Sequence, residues 1–139
     1  MPTILYAEDD ADQRTMMRYT LQNTNFSLIE AADGEEALVK IFSLKPDLVL
    51  LDLLMPNLDG FGVMDALNAN PATRKIPVVV LSAWPTGDNR KRIMKAGAAH
   101  VISKPYDPIK LIQLLRSLIG AAPLFIPPQV QSDTAPLSA

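Results

Sequence analysis

The chain has no cysteine, which excludes disulfides and thiolate metal sites and is consistent with a reducing compartment. It has no basic run either. Its 13 Lys and Arg stand close to balance against 15 Asp and Glu, so the electrostatic footprint of a nucleic-acid binder is missing and direct nucleic-acid binding is not expected. No apolar stretch approaches membrane-spanning length, and the opening MPTILYAEDD turns acidic where a signal peptide would continue its apolar run. The expectation is a cytoplasmic protein without membrane insertion. At 139 residues the chain is the size of one domain, long enough to bury roughly two thirds of the surface that its unfolded form exposes.

What is present is organised around VLLDLLMPNLDG. Val49, Leu50 and Leu51 form a short apolar run that reads as a buried strand, and Asp52 ends it before the turn signals Pro56, Asp59 and Gly60. An ionised carboxylate is costly to bury alone, so Asp52 belongs at an open edge with a cation or proton to hold it. From this stretch alone it fits equally well as a turn aspartate that caps local amides.

Along the chain, Thr3 to Ala7 is a first strand ending at Glu8, Asp9 and Asp10. Asp10 and Gln13 have capping-box spacing, and Met16, Met17, Thr20 and Leu21 carry a helix to about Asn23. Phe26 to Glu30 is a second strand. Asp33 and Glu36 cap a second helix whose apolar face is Ala37, Leu38, Ile41 and Phe42. Pro46 starts the strand that delivers Asp52, and Phe61, Met64, Leu67 and Asn68 place a third helix before Pro71. Pro77 to Leu81 is unalternating and β-branched, as in a parallel strand covered on both faces. Ser82 follows it, and Asp88 is the expected N-cap of a fourth helix closed by Gly97. Val101 and Ile102 belong to a fifth strand that stops at Ser103, Lys104 and Pro105. Asp107 with Pro108 starts a last helix, carried by Ile109, Ile112, Leu115 and Ile119 to Gly120. Five strand and helix pairs predict an α/β fold with a five-stranded parallel sheet and helices on both faces over residues 1–120. Residues 121–139, rich in Pro and Ala, are expected to form a poorly ordered tail.

In such a sheet, ligands sit outside the carboxyl ends of the strands, where strand order reverses. Glu8, Asp9, Asp52, Ser82 and Lys104 all fall at those ends. If strands one and three are neighbours, three carboxylates converge and need a cation. An all-oxygen pocket of this kind suits Mg²⁺. Lys104 and Ser82 are expected on the other side of Asp52, where an ammonium and a hydroxyl would meet the oxygens of a phosphoryl group.

These residues, in ILYAEDD, LLDLLMPNLDG, VVVLSA and SKP, resemble the receiver domain of two-component response regulators over residues 3–120. Ser82 stands 30 residues after Asp52 and Lys104 a further 22 on, as in that family. The resemblance implies a flavodoxin-like doubly wound (βα)5 fold with strand order 2-1-3-4-5. It implies that Asp52 accepts a phosphoryl group from a phosphohistidine on a histidine kinase or phosphotransfer protein, in a Mg²⁺-dependent reaction. Asp9 would be the main metal ligand, Glu8 a ligand acting mostly through water, and the backbone carbonyl of Leu54 a third contact. Ser82 and Lys104 would bind the phosphoryl oxygens, and the Lys104-Pro105 bond would be cis. The protein would not be an enzyme beyond its own phosphorylation and slow autodephosphorylation. It would signal as a single domain, by protein contact or phosphorelay. The face of the fourth helix, fifth strand and fifth helix would meet a downstream protein or a second copy as a homodimer, with Leu111, Leu114 and Leu118 widening its apolar stripe.

The chain departs from the family pattern at Val101, where members often carry an aromatic switch residue. Tyr106 reads as packing, and His100, the one histidine, as a surface or strand-edge residue. Leu54 and Trp84, two residues after Asp52 and Ser82, are large and apolar. They would either exclude the water that attacks an acyl phosphate, or, for Trp84, simply pack against the loop. Two alternatives to a phosphoacceptor are a phosphorylation-independent scaffold, favoured by Val101, and a phosphatase using Asp52, disfavoured because Leu54 is not a second acid.

Overall fold

The computed structural model describes residues 1–120; the tail expected over 121–139 lies outside the described residues. Five strands alternate with five helices: β1 (Thr3–Ala7), α1 (Ala11–Leu21), β2 (Ser27–Ala31), α2 (Gly34–Leu44), β3 (Leu48–Asp52), α3 (Gly60–Ala69), β4 (Val78–Ser82), α4 (Gly87–Lys95), β5 (His100–Ser103) and α5 (Pro108–Leu115). A last turn of π geometry, Arg116–Gly120, continues α5. All strand pairs are parallel, in the order β2-β1-β3-β4-β5. This is the flavodoxin-like doubly wound sheet expected from sequence.

Burial follows position in the sheet. Every residue of β3 and β4 is buried, while the edge strands β2 and β5 are covered only in part, which is why the central strands read as unbroken apolar runs. One core layer joins Ile41, Val63, Met64 and Ile93 to one face of the sheet; the other joins Met17, Leu21, Leu111 and Leu115 to the opposite face. Each such fully buried Leu, Ile or Met contributes roughly 1.5–3 kcal/mol. The α5 face is rotated from the sequence expectation: Leu111 is core, whereas Ile109 is 69% exposed. Met16 is likewise exposed beside buried Met17.

Caps set the helix starts. The Asp10 carboxylate accepts from the Asp12 and Gln13 amides, and Asp33 accepts from the Glu36 amide while Glu36 reaches back to the Ala32 amide. Asp107 caps α5 as expected. For α4 the expectation fails, because the N-cap is Thr86 and Asp88 lies inside the first turn. Gly87, at φ +63°, turns the chain into the helix two residues earlier than a side-chain cap at Asp88 would allow. Strand boundaries also move slightly: β2 begins and ends one residue late, and Ser82 is the last residue of β4 rather than the first beyond it.

Two glycines let the segment after Asp52 pack closely. A Cβ on Gly60 would lie 2.8 Å from the Asp52 carbonyl oxygen, and one on Gly34 would run into the Leu58 carbonyl. The Asp52 to Gly60 turn is therefore pressed against both α2 and the end of β3. Gly34→Ala should lower unfolding stability by about 1–3 kcal/mol, read as a reduced urea midpoint at unchanged m value; a wild-type midpoint would show that the turn is not held by this contact.

Candidate functional site

Register brings the strand ends together. Ala7 pairs with Leu51, so Glu8 follows β1 at the level of Asp52. Asp52 pairs with Leu81 and Ser82 with Ser103, so Ser82 and Lys104 lie one and two steps further along the same sheet edge. One carboxylate oxygen from each of Glu8, Asp9 and Asp52 lies within 4.8 Å of the other two. Glu8 is 2% exposed and Asp52 9%, whereas Asp9 is exposed. At 4.8 Å, two ionised carboxylates repel by roughly 3 kcal/mol. The pocket requires positive charge.

Lys104 supplies part of it. Its ammonium donates to Glu8 Oε1 at 2.8 Å and lies 3.4 Å from Asp52 Oδ1. This corrects the expected placement of Lys104 on the side of Asp52 away from the acid pair: the ammonium bridges the two buried carboxylates, closer to Glu8. Burial alone would lower the Lys104 pKa, but the Glu8 hydrogen bond and the nearby Asp52 charge outweigh it, so the group is held above the ordinary lysine range.

Three residues not singled out from sequence complete the frame. Tyr6 lies two residues before Glu8, and its buried hydroxyl donates to Glu8 Oε1 at 3.3 Å. Burial, and then the Glu8 charge, push the Tyr6 phenol far above its usual pKa, so it remains a donor. Arg14 donates to the Glu8 carbonyl at 2.7 Å, and the Asp10 amide to Glu8 Oε2 at 3.3 Å. Asn89, in the first turn of α4, donates to the Trp84 carbonyl and reaches Ser82 Oγ at 3.5 Å, where the Trp84 amide also donates at 3.0 Å. Two donors on the Ser82 oxygen leave its own hydrogen free to donate elsewhere. The spacing of Tyr6 and Glu8 was a usable signal, since residues two apart in a strand share a face. Asn89 gave none, because its contact depends on the path of the intervening loop.

A groove of about 350 Å³ opens beside Asp52, lined by Leu54, Ser82, Trp84, Asn89 and Lys104 among others. Leu54 is 75% and Trp84 71% exposed, so both stand as apolar rims and Trp84 does not bury its ring against the loop. Val101 is buried in the core with Ile93. Tyr106 packs on the opposite layer, with its hydroxyl 3.4 Å from Thr20 Oγ1. His100 is exposed at the start of edge strand β5, and the Lys104-Pro105 bond is cis.

The acid cluster offers only oxygen donors, and this set fits a hard divalent cation. Glu8, Asp9 and Asp52 are the side chains that could hold such a cation. Lys104 and the Ser82 hydroxyl are placed to meet an anion in the groove.

Comparison with known proteins agrees with this arrangement. The family model for the response regulator receiver domain matches residues 4–116. The phosphate regulon transcriptional regulatory protein PhoB of Escherichia coli K12 is 34% identical over 116 residues, covering 84% of this chain and 51% of that protein. The transcriptional regulatory protein ResD of Bacillus subtilis is 34% identical over 119 residues, covering 86% of this chain and 48% of that protein. The chain thus spans about half the length of these curated relatives. Among solved structures, the chemotaxis protein CheY4 of Vibrio cholerae superposes with TM-score 0.80 at 27% identity, covering 86% of this chain and 99% of that one. The receiver domain of the sensor histidine kinase PA1611 of Pseudomonas aeruginosa, solved with a magnesium ion coordinated in its active site cleft, superposes with TM-score 0.79 at 26% identity, covering 86% of this chain and 98% of that one. With one family model matched across nearly the whole described sheet, and the acid pair, Asp52, Ser82 and Lys104 gathered at its carboxyl edge, the chain belongs to the response regulator receiver domain family of two-component signalling.

Proposed function

We propose that Asp52 is the phosphoacceptor, receiving a phosphoryl group from a phosphohistidine on a sensor histidine kinase or a phosphotransfer protein. The observation that carries this is the position of the Asp52 carboxylate, within 4.8 Å of Glu8 and Asp9 and 3.4 Å from the Lys104 ammonium. In the transfer, an Asp52 oxygen bonds to phosphorus as the bond to the imidazole nitrogen breaks, and the imidazole keeps that electron pair. Mg²⁺ held by Glu8, Asp9, Asp52 and the Leu54 carbonyl would neutralise charge on the transferring group. The Lys104 ammonium neutralises phosphoryl oxygens, and the free Ser82 hydrogen donates to one of them.

On this view the protein turns over no separate substrate, so it is not an enzyme in the ordinary sense. It works in the cytoplasm and passes its signal to a downstream protein by contact or by onward phosphoryl transfer. Among the described residues no helix is long and apolar enough to cross a membrane, which accords with that location. Phosphorylation shifts the population toward whichever conformer interacts better with the modified Asp52. A second role, as a phosphorylation-independent scaffold, draws on Val101: packed in the core, it offers no aromatic ring to swing.

Two measurements test these roles. Intact mass after incubation with acetyl phosphate should show one added phosphoryl group that requires Mg²⁺ and is absent from Asp52→Asn; no gain under any condition would leave the scaffold. Once phosphorylated, the protein should lose the group slowly, because Leu54 and Trp84 at the groove rim cannot orient a water. Leu54→Asn with Trp84→Glu should shorten the lifetime at least about tenfold, and an unchanged decay rate would rule out that role for the two side chains.

A further inference from the structure

Ser82 is the last residue of β4, is 6% exposed, and lines the groove beside Asp52 and Lys104. A hydroxyl oxygen has two acceptor positions and one hydrogen. Donors approach both acceptor positions here: the Trp84 amide at 3.0 Å and the Asn89 side-chain nitrogen at 3.5 Å. Only the hydrogen remains, and among the described residues it has no protein acceptor.

The orientation of the Asn89 amide is fixed by its second partner. The Trp84 carbonyl can only accept, so the nitrogen of the amide, not its oxygen, must face it. That nitrogen carries another hydrogen, and Ser82 is the acceptor within its reach. The start of α4 has little else to hold it there. Its N-cap, Thr86, makes no side-chain bond to the helix, and the site of a Cβ on Gly87 has nothing within 4 Å. Asn89, half-buried in the first turn, is the side chain that joins α4 to the end of β4.

We propose that Asn89 is a positioning residue for phosphoryl transfer to Asp52: by filling an acceptor position of Ser82, it turns the serine hydrogen into the groove before a phosphoryl group arrives. This rests on the phosphoacceptor reading of Asp52 and adds to it a residue that contributes no atom to the acid cluster. A hydroxyl free to rotate has to be oriented during the reaction, whereas one already aimed gives its hydrogen bond without reorganisation. A side chain that accepted where Asn89 donates would reverse the arrangement, drawing the serine hydrogen toward α4 and away from Asp52.

Asn89→Asp makes that reversal at nearly constant size. The full chain is incubated with acetyl phosphate and Mg²⁺, and the rate of gain of one phosphoryl group is followed by intact mass. Wild type, Asn89→Asp, Ser82→Ala and the double variant are compared, each checked by its urea midpoint to be folded in the assay. Asn89→Asp should slow uptake about tenfold, and Ser82→Ala by a similar factor. In the double variant the two losses should not multiply, because no serine hydrogen is left to divert. A new carboxylate that acted by repelling the incoming anion, or by loosening the loop, would slow the Ser82→Ala protein tenfold again. That result, or a wild-type rate for Asn89→Asp, would overturn the proposal. The contact is also readable without any phosphoryl transfer: in nitrogen-proton NMR spectra, the side-chain amide protons of Asn89 should shift in Ser82→Ala, and unmoved signals would overturn it too. Wild-type protein that takes up no phosphoryl group at all would instead sink the reading of Asp52, a different outcome from normal uptake that Asn89→Asp leaves untouched.

Discussion

The ammonium of Lys104 between Glu8 and Asp52 is the interaction on which the rest of the site depends. Glu8 and Asp52 are both nearly buried, and a buried carboxylate without a partner costs several kcal/mol. Lys104 reaches them from across the sheet, 96 residues after Glu8, because β5 ends level with Ser82 in register and Lys104 is the next residue. The contact therefore reports on the whole topology. It also leaves the cluster short of positive charge, since one ammonium faces three carboxylates, and a divalent cation would correct that deficit. Lys104 can then turn toward an anion on Asp52 without abandoning Glu8 to an uncompensated burial.

The scaffold that holds this arrangement is rigid where it must be. β3 is buried along its whole length and flanked on both sides by strands, so Asp52 is presented from a fixed base. The turn after it is pinned by the close approach of Gly60 to the Asp52 carbonyl and of Gly34 to Leu58. Glu8 is fixed from four directions, by Tyr6, the Asp10 amide, Arg14 and Lys104. Exposure rises only at the rim, with Leu54, Trp84 and Asp9. Charged groups at the floor are thus preorganised, and only the groups that meet an incoming partner remain free.

Much of this was legible in the sequence because it rests on local rules. Period, caps and turn residues locate ten elements, and a polar residue at the end of an apolar run marks a strand end in a parallel sheet. Those rules find Glu8, Asp9, Asp52, Ser82 and Lys104. They do not determine which carboxylate Lys104 prefers, because that depends on distances between strands rather than along them. They also misplace the α4 cap, where the positive φ of Gly87 overrides the usual preference for an acid. The contact of Asn89 with Ser82 is hidden for the same reason, since it crosses an irregular loop. The outward turn of Ile109 and inward turn of Leu111 show the limit of periodicity on a helix whose sequence is apolar on most sides.

α4 is held differently from the other helices. It buries a single residue, Ile93, and its remaining ties are the Arg92 guanidinium 3.9 Å above the Phe61 ring, the Asn68 amide on the Ala96 carbonyl, and Asn89 on the Trp84 loop. A helix with so little apolar burial takes most of its stability from these few polar contacts, each contributing on the order of 1 kcal/mol. Asn89 places one of those contacts at Ser82, beside Asp52. A change in what the Ser82 hydroxyl binds therefore bears on the least firmly packed helix in the fold, and that helix carries Arg90, Lys91 and Lys95 on its exposed side. Val101 is buried in the same core cluster as Ile93, so the side chains that join the acid pocket to this helix sit in the β4 to α4 loop, at Asn89 with Ser82 and the Trp84 carbonyl.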